Sequence, residues 1–400
     1  MPAVASWPLI VLLVALTALA PFAMQIFLPS LPVIQSHFDV SIGYAQLVFS
    51  LSGIAMAVGT LAYGPISDRF GRRRTILAGV GFYILGSAIA SFAPTIEGVM
   101  VGRIVQAAGG VAGMVLARAI VRDLFDRERS AEMIAYLTVG MVFVPMLSPW
   151  IGAHLVGFAG WRSNFFVPGV IGIVALTIAL RSLPETNKNP IEKLDFSSIG
   201  QAFSRLMKIP AFLAYTLQGA FSMAVFFSLL AGAPYIVQQV MGYPASVYGN
   251  WFILLAGGFM AGNFTAARIS GKVGLDRMIV IGSVLTIIPL PVTIALLMAG
   301  HWEPWAIFIP GICVGFGQGL AMPNAQAGAV SVDPSIAGTA SGLAGFMQMG
   351  LASLMAQFVG MIQDGTPYPT LVTMLVCAVL MLVTFVVPMR AAARPTALTG

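Results

Sequence analysis

Twelve runs of about twenty mostly apolar residues, each long enough to cross the hydrocarbon layer of a membrane, dominate what this chain can fold into. They cover roughly residues 7 to 30, 42 to 64, 75 to 93, 98 to 120, 133 to 157, 164 to 183, 209 to 232, 246 to 267, 278 to 299, 306 to 327, 336 to 361 and 370 to 389. One buried core cannot absorb them. The chain is 58% hydrophobic and 8% charged over 400 residues, with a mean hydropathy of +0.92, whereas a water-soluble protein of this size keeps a large polar skin. The solvent is therefore lipid. There an open strand edge would leave backbone groups unpaired, so the expected class is all-α integral membrane, with twelve transmembrane helices. The first run has no basic segment before it and no A-x-A-like cleavage site after it, and is expected to be a retained span.

The basic residues set the expected orientation. With both termini cytoplasmic, that side holds Arg69, Arg72, Arg73, Arg74, Arg118, Arg122, Arg127, Arg129, Arg181, Lys188, Lys193, Arg205, Lys208, Arg268, Lys272, Arg277, Arg390 and Arg394. Only Arg103 and Arg162 remain. The net charge of +6 then reports topology and contact with anionic headgroups, and no nucleic-acid partner is expected. The two cysteines, Cys313 and Cys377, both fall inside spans, which argues against a disulfide or metal framework.

The longest polar interval, PETNKNPIEKLDFSSIGQAFSRLMK at 184–208, reads as a cytoplasmic central loop between six-helix bundles at 1–183 and 209–400. Equal halves suggest a duplicated unit with the transport pathway at their interface. A faint echo accompanies this: Gly71 and Arg74 match Gly274 and Arg277, both offset by 203.

After the second run stands GPISDRFGRRR, residues 64–74. It resembles the G-x-x-x-D-R-x-G-R-R/K signature of the major facilitator superfamily. The segments FLPSLPVI, GRIVQAAGGVAGMVLARAIVRDLF, VPMLSPWIGAHLVGFAGWRSNFF and SIAGTASGLAG look like the bicyclomycin and chloramphenicol resistance (Bcr/CflA) exporters of its drug:proton antiporter group. The resemblance implies a secondary transporter of the bacterial inner membrane, working as a monomer, that exports small amphipathic drugs or metabolites by alternating access with proton antiport. It implies a gate built from Gly64, Asp68, Arg69, Gly71 and Arg72. In the superfamily the residue matching Asp68 meets the start of span eleven, here near Ser335, and the one matching Arg72 pairs with an acid at the end of span four, here Asp123. A plain topogenic basic loop is the alternative. Pro145, Pro149 and Gly152 resemble the antiporter signature of span five, where each proline frees a carbonyl and predisposes the helix to bend.

Arg103 lies inside the fourth run, where a charge costs roughly 2.5 to 3.5 kcal/mol. Gln106, Gly110 and Met114 continue its face, so the stripe is expected to turn to the bundle interior or a water-filled cavity. Substrate contact beside the pathway, as the resemblance implies, and a structural arginine bonding freed carbonyls both remain open. Met223 and Phe227, with Phe221, Phe226 and Tyr235, and Asn263 offer adaptable lining for bulky amphipathic molecules, or ordinary packing. His154 is the one histidine inside an apolar run; it could carry a proton or simply pack near the headgroups.

All fourteen acidic residues fall in loops or at helix ends. Relatives carry an aspartate at the position of Gln25, in PFAMQIFLPSLP, so coupling through the first span and a preference for cations are both in question. If protons are coupled, Asp68, Asp123 and His154 are the available groups. With Arg103 the lone charge at depth, neutral, zwitterionic or anionic substrates are favoured. Gln25 is expected either to contact substrate in the pocket or, since Thr17, Pro21, Gln25 and Pro29 share a helix face, to repair backbone freed by the prolines.

Rival readings are an importer or facilitator of a neutral, zwitterionic or anionic nutrient on the same fold, and a non-transporting receptor or enzyme. The chain has no G-x-x-x-x-G-K-S/T loop and no H-E-x-x-H, and His37, His154 and His301 are far apart. No cofactor, metal or enzymatic activity is expected.

Overall fold

The computed structural model describes residues 7–187, 191 and 196–392. Each of the twelve runs is helical: Trp7–Phe38, Ile42–Phe70, Arg72–Phe92, Ile96–Leu124, Glu128–Ala159, Ser163–Ser182, Pro210–Val240, Ala245–Val273, Leu275–Met298, Pro304–Ser331, Ala337–Ile362 and Tyr368–Met389. Among the described residues there is no strand. Several helices outrun their apolar segments, so that Asp68 and Asp123 sit in the last turns of the second and fourth spans.

Side chains start and stop the helices. Ser41, Thr95 and Asp126 accept the otherwise unpaired N–H groups of Tyr44, Gly98 and Arg129, as N-caps do. The first span is helical to Ile26, tightens into a 3-10 turn over Leu28–Ser30 and resumes over Leu31–Phe38. Pro29 and Pro32 cannot donate and so interrupt the ladder there. Pro289 breaks the ninth span into Leu275–Ile287 and Pro289–Met298 for the same reason.

The chain divides into two compact units, Met1–Leu194 with Pro244–Gly249 and Asp195–Tyr243 with Asn250–Gly400. In the first, the third and fourth spans pack through small residues, as membrane helices do when backbones must approach closely; a Cβ on Gly79 would lie 2.9 Å from the Gly109 carbonyl oxygen. In the second, Gly282 lies against the carbonyl of Gly317 in the ninth and tenth spans. Gly79 and Gly282 carry the same offset of 203 as the sequence echo. Gly71 (φ 92°, ψ 150°) and Gly274 (φ 92°, ψ 147°) adopt the same left-handed turn, which explains why that pair must be glycine.

The stretch expected as a loop, 184–208, contains a helix of its own. Phe196–Met207 is a helix, with Phe203 and Leu206 packed against Phe212, Ala340 and Leu343 of the second unit. Phe196, Ile199, Phe203 and Leu206 recur at helical spacing, so the apolar stripe was present but too short to read as a span. Lys188, Glu192, Lys193, Asp195 and Arg394 lie outside the described residues.

Candidate functional site

The signature turn gathers three charges from two helix ends and a helix start. Arg72 Nη1 lies 2.5 Å from Asp68 Oδ1 and its Nε 3.3 Å from Asp123 Oδ2, while the same guanidinium also donates to the Ser67 hydroxyl. The Asp68 side chain is 44% exposed and that of Arg72 only 14%, so the cluster is a partly screened rim and not a buried ion pair. Arg69 points away and covers the Phe70 ring at 5.1 Å. A Cβ on Gly64 would meet nothing within 4 Å. At the start of the eleventh span, Ser335 donates its N–H and its hydroxyl to Asp333.

Arg103 is 1% exposed. Its Nη1 donates to the Ala23 carbonyl at 3.0 Å and to Gln106 Oε1, its Nη2 reaches Met24 Sδ at 3.6 Å, and its guanidinium covers the Phe27 ring at 4.2 Å. Gln106 passes the chain on to the Ser87 hydroxyl at 2.7 Å. The stripe of Arg103, Gln106, Gly110 and Met114 is buried throughout, so of the two expected surroundings the bundle interior is the one observed. Ala23 lies in the last turn before Ile26, where helix carbonyls carry partial negative charge. The arginine thus binds the end of the first helix to the fourth span. Met24, Phe27 and Ser87 were invisible as partners because nothing in their own spacing marks them.

The fifth span keeps its helix through Pro145 and Pro149. Gly152 lies directly against the Ile26 carbonyl, and the Asn164 amide donates to Gly152 O at 3.1 Å and to Ser30 Oγ at 2.6 Å. Spans one, five and six therefore meet at this glycine. Asn164 was missed, although a polar side chain one residue into an apolar run is a readable signal. His154 is exposed, lies tilted against the Trp150 ring with centroids 4.7 Å apart and bonds the Trp150 carbonyl through Nδ1 at 2.9 Å. It stands apart from the Arg103 network.

Gln25 is half-buried, and its Oε1 is enclosed without a hydrogen-bond partner. In the second unit Met223 and Phe227 share one face of the seventh span, with Met223 half-buried and Phe227 buried. Asn263, on the eighth, donates to its own Phe259 carbonyl at 3.0 Å. Buried amides that spacing did not mark accompany them: Gln318 donates to the Ser222 carbonyl at 3.0 Å, and Gln348 lies against Gly219. Among the described residues no group of His, Cys, Asp and Glu could hold a metal.

The family model described as Major Facilitator Superfamily matches residues 13–357. A bicyclomycin resistance protein homolog of Haemophilus influenzae is 29% identical over 369 residues, covering 91% of this chain and 92% of its own. The multidrug resistance protein MdtL of Shigella dysenteriae is 27% identical over 94% of this chain and 95% of its own. Among solved structures, a bacterial homolog of the human lysosomal transporter Spinster, inward-facing and unoccupied, superposes with a TM-score of 0.76 at 17% identity, covering 97% of this chain and 98% of its own. A D-xylose–proton symporter gives 0.74 at 13% identity, with 94% and 97% covered.

Proposed function

The chain belongs to the Major Facilitator Superfamily, and from that premise we propose that it exports small amphipathic drugs or metabolites from the bacterial cytoplasm by alternating access, exchanging them for protons. As a member it is a multi-pass membrane transporter of small molecules and not an enzyme. The observation that carries export is the similarity to resistance proteins along nearly the whole chain. The joined Asp68, Arg72 and Asp123 side chains support a cytoplasmic gate that must open and reform in each cycle.

In this reading Gln25, Met223, Phe227 and Asn263 touch substrate. Arg103 and Gln106 act one step back, holding the first helix end that carries Gln25. Because no acidic side chain lies at depth, proton exchange falls to Asp68, Asp123 or His154, or to the substrate itself. The enclosed Arg103 charge disfavours monocations near it, so neutral, zwitterionic or anionic molecules are the preferred cargo.

The test is flux in proteoliposomes with and without an imposed pH gradient, comparing neutral chloramphenicol with cationic ethidium. Gradient-driven export that favours the neutral probe is the expected result. Flux indifferent to the gradient would remove proton antiport, and robust ethidium export unaltered by Gln25→Ala would remove the charge preference.

A further inference from the structure

Three consecutive residues just past the sixth span, Glu185, Thr186 and Asn187, bind the ends of three other spans. The Glu185 carboxylate accepts the N–H groups of Arg72 at 2.8 Å and Arg73 at 3.1 Å. These amides open the third span and have no acceptor within it, and negative charge is favoured at that end of a helix. The Thr186 hydroxyl donates to Asp123 Oδ2 at 2.8 Å, the same oxygen that Arg72 Nε reaches at the end of the fourth span. The Asn187 amide donates to the carbonyls of Asp68 at 2.8 Å and Ser67 at 3.3 Å, which close the second span. Arg73 returns a bond to the Leu180 carbonyl in the last turn of the sixth.

Gly71 shows that this seat is specific. A Cβ there would lie 2.9 Å from Glu185 Cδ, so a side chain would have to displace the bound carboxylate, besides adopting the left-handed φ that favours glycine. Gly274, its counterpart in the second unit, has the same φ of 92°, yet among the described residues a Cβ on it would meet nothing within 4 Å. The turn alone does not create the contact; Glu185 does.

We propose that Glu185, Thr186 and Asn187 are positioning residues for the Asp68, Arg72 and Asp123 cluster. They form a clamp that holds the ends of the second, third, fourth and sixth spans as one body, so that the cluster makes and breaks as a unit. The importance of the clamp for transport rests on the gating reading above; its existence does not.

Hydrogen exchange on the full-length protein in nanodiscs tests it without any transported probe. Glu185→Ala should speed exchange of the Arg72 and Arg73 amides about tenfold, the order expected from losing one net hydrogen bond. Glu185→Gln, which keeps an acceptor oxygen, should fall between. The decisive variant is Thr186→Val, nearly unchanged in shape, which touches neither those amides nor residues 67–71. A clamp acting as one body predicts faster exchange at both places, and exchange confined to the Asp123 end would overturn it, as would wild-type protection in Glu185→Ala. Chloramphenicol flux through Asp123→Asn is measured alongside. If that variant is unaffected while the exchange pattern spreads as expected, the gating reading fails and the clamp stands.

Discussion

The Arg205 guanidinium meets the Asp333 carboxylate at 2.6 Å, joining the connector helix to the turn that precedes the eleventh span. Asp333 also receives the Ser335 hydroxyl at 2.5 Å and its N–H at 3.2 Å. Those bonds, led by the hydroxyl and aided by Arg205, hold its carboxyl below the usual carboxylate range despite partial desolvation. The charged form is thus favoured in the folded state, and the connection persists into acid.

The sign of its pH dependence follows. A carboxyl with a depressed folded pKa contributes stability above the unfolded value, near 3.9, and loses it as pH falls through the folded value. The difference in thermal midpoint between wild type and Asp333→Asn should be constant from about pH 8 to pH 5 and shrink only below about pH 4. A difference already lost at pH 6 would show that another group controls the contact.

Arg103 should tolerate no simple replacement. Arg103→Ala removes the bonds to the Ala23 carbonyl and to Gln106 Oε1 and leaves a void in a buried site, at a cost of about 3 kcal/mol. Arg103→Lys keeps the charge but not the planar fork that bonds both while covering Phe27, and should lose about 1 to 2 kcal/mol. Thermal unfolding in one detergent checks both. A lysine variant as stable as wild type would mean the fork is dispensable.

Gly152→Ala should destabilise the first unit by about 1 to 3 kcal/mol, because the added methyl meets the rigid Ile26 carbonyl. Asn164→Leu, which removes the bonds to Ser30 and Gly152, should lower stability by a similar amount. The two effects should be less than additive, since both act where the first helix ends. Their double mutant in the same unfolding assay measures this.

Gln25→Asp should make ethidium export appear or rise and depend steeply on the pH gradient, because a half-buried carboxyl exchanges protons with a cationic cargo. Flux at two gradients compares the variant with wild type. An unchanged profile would favour a purely structural amide.

Much of the architecture was legible in the residues themselves. The length and apolarity of the twelve runs marked every span, and the resemblance of the signature implied that Arg72 and Asp123 pair, while the bond from Arg72 to Asp68 came only from the structure. The helix at Phe196–Met207 was legible in its stripe but overlooked, since it is half the length of a span. Glu185 was counted among loop acids, with nothing nearby in sequence to show that its partners lie 113 and 112 residues away at Arg72 and Arg73.

Sequence alone determined the solvent and the number of crossings, because transfer into hydrocarbon is a local property that each run decides for itself. Tertiary structure alone decided partnership. Within a membrane, lipid and neighbouring helices are both apolar, so hydrophobic periodicity scarcely distinguishes a buried face from an exposed one. That Arg103 turns inward to Ala23, 80 residues away, and that Asn164 finds Ser30 across 134, depended on which helix ends the packed chain brought within hydrogen-bonding distance.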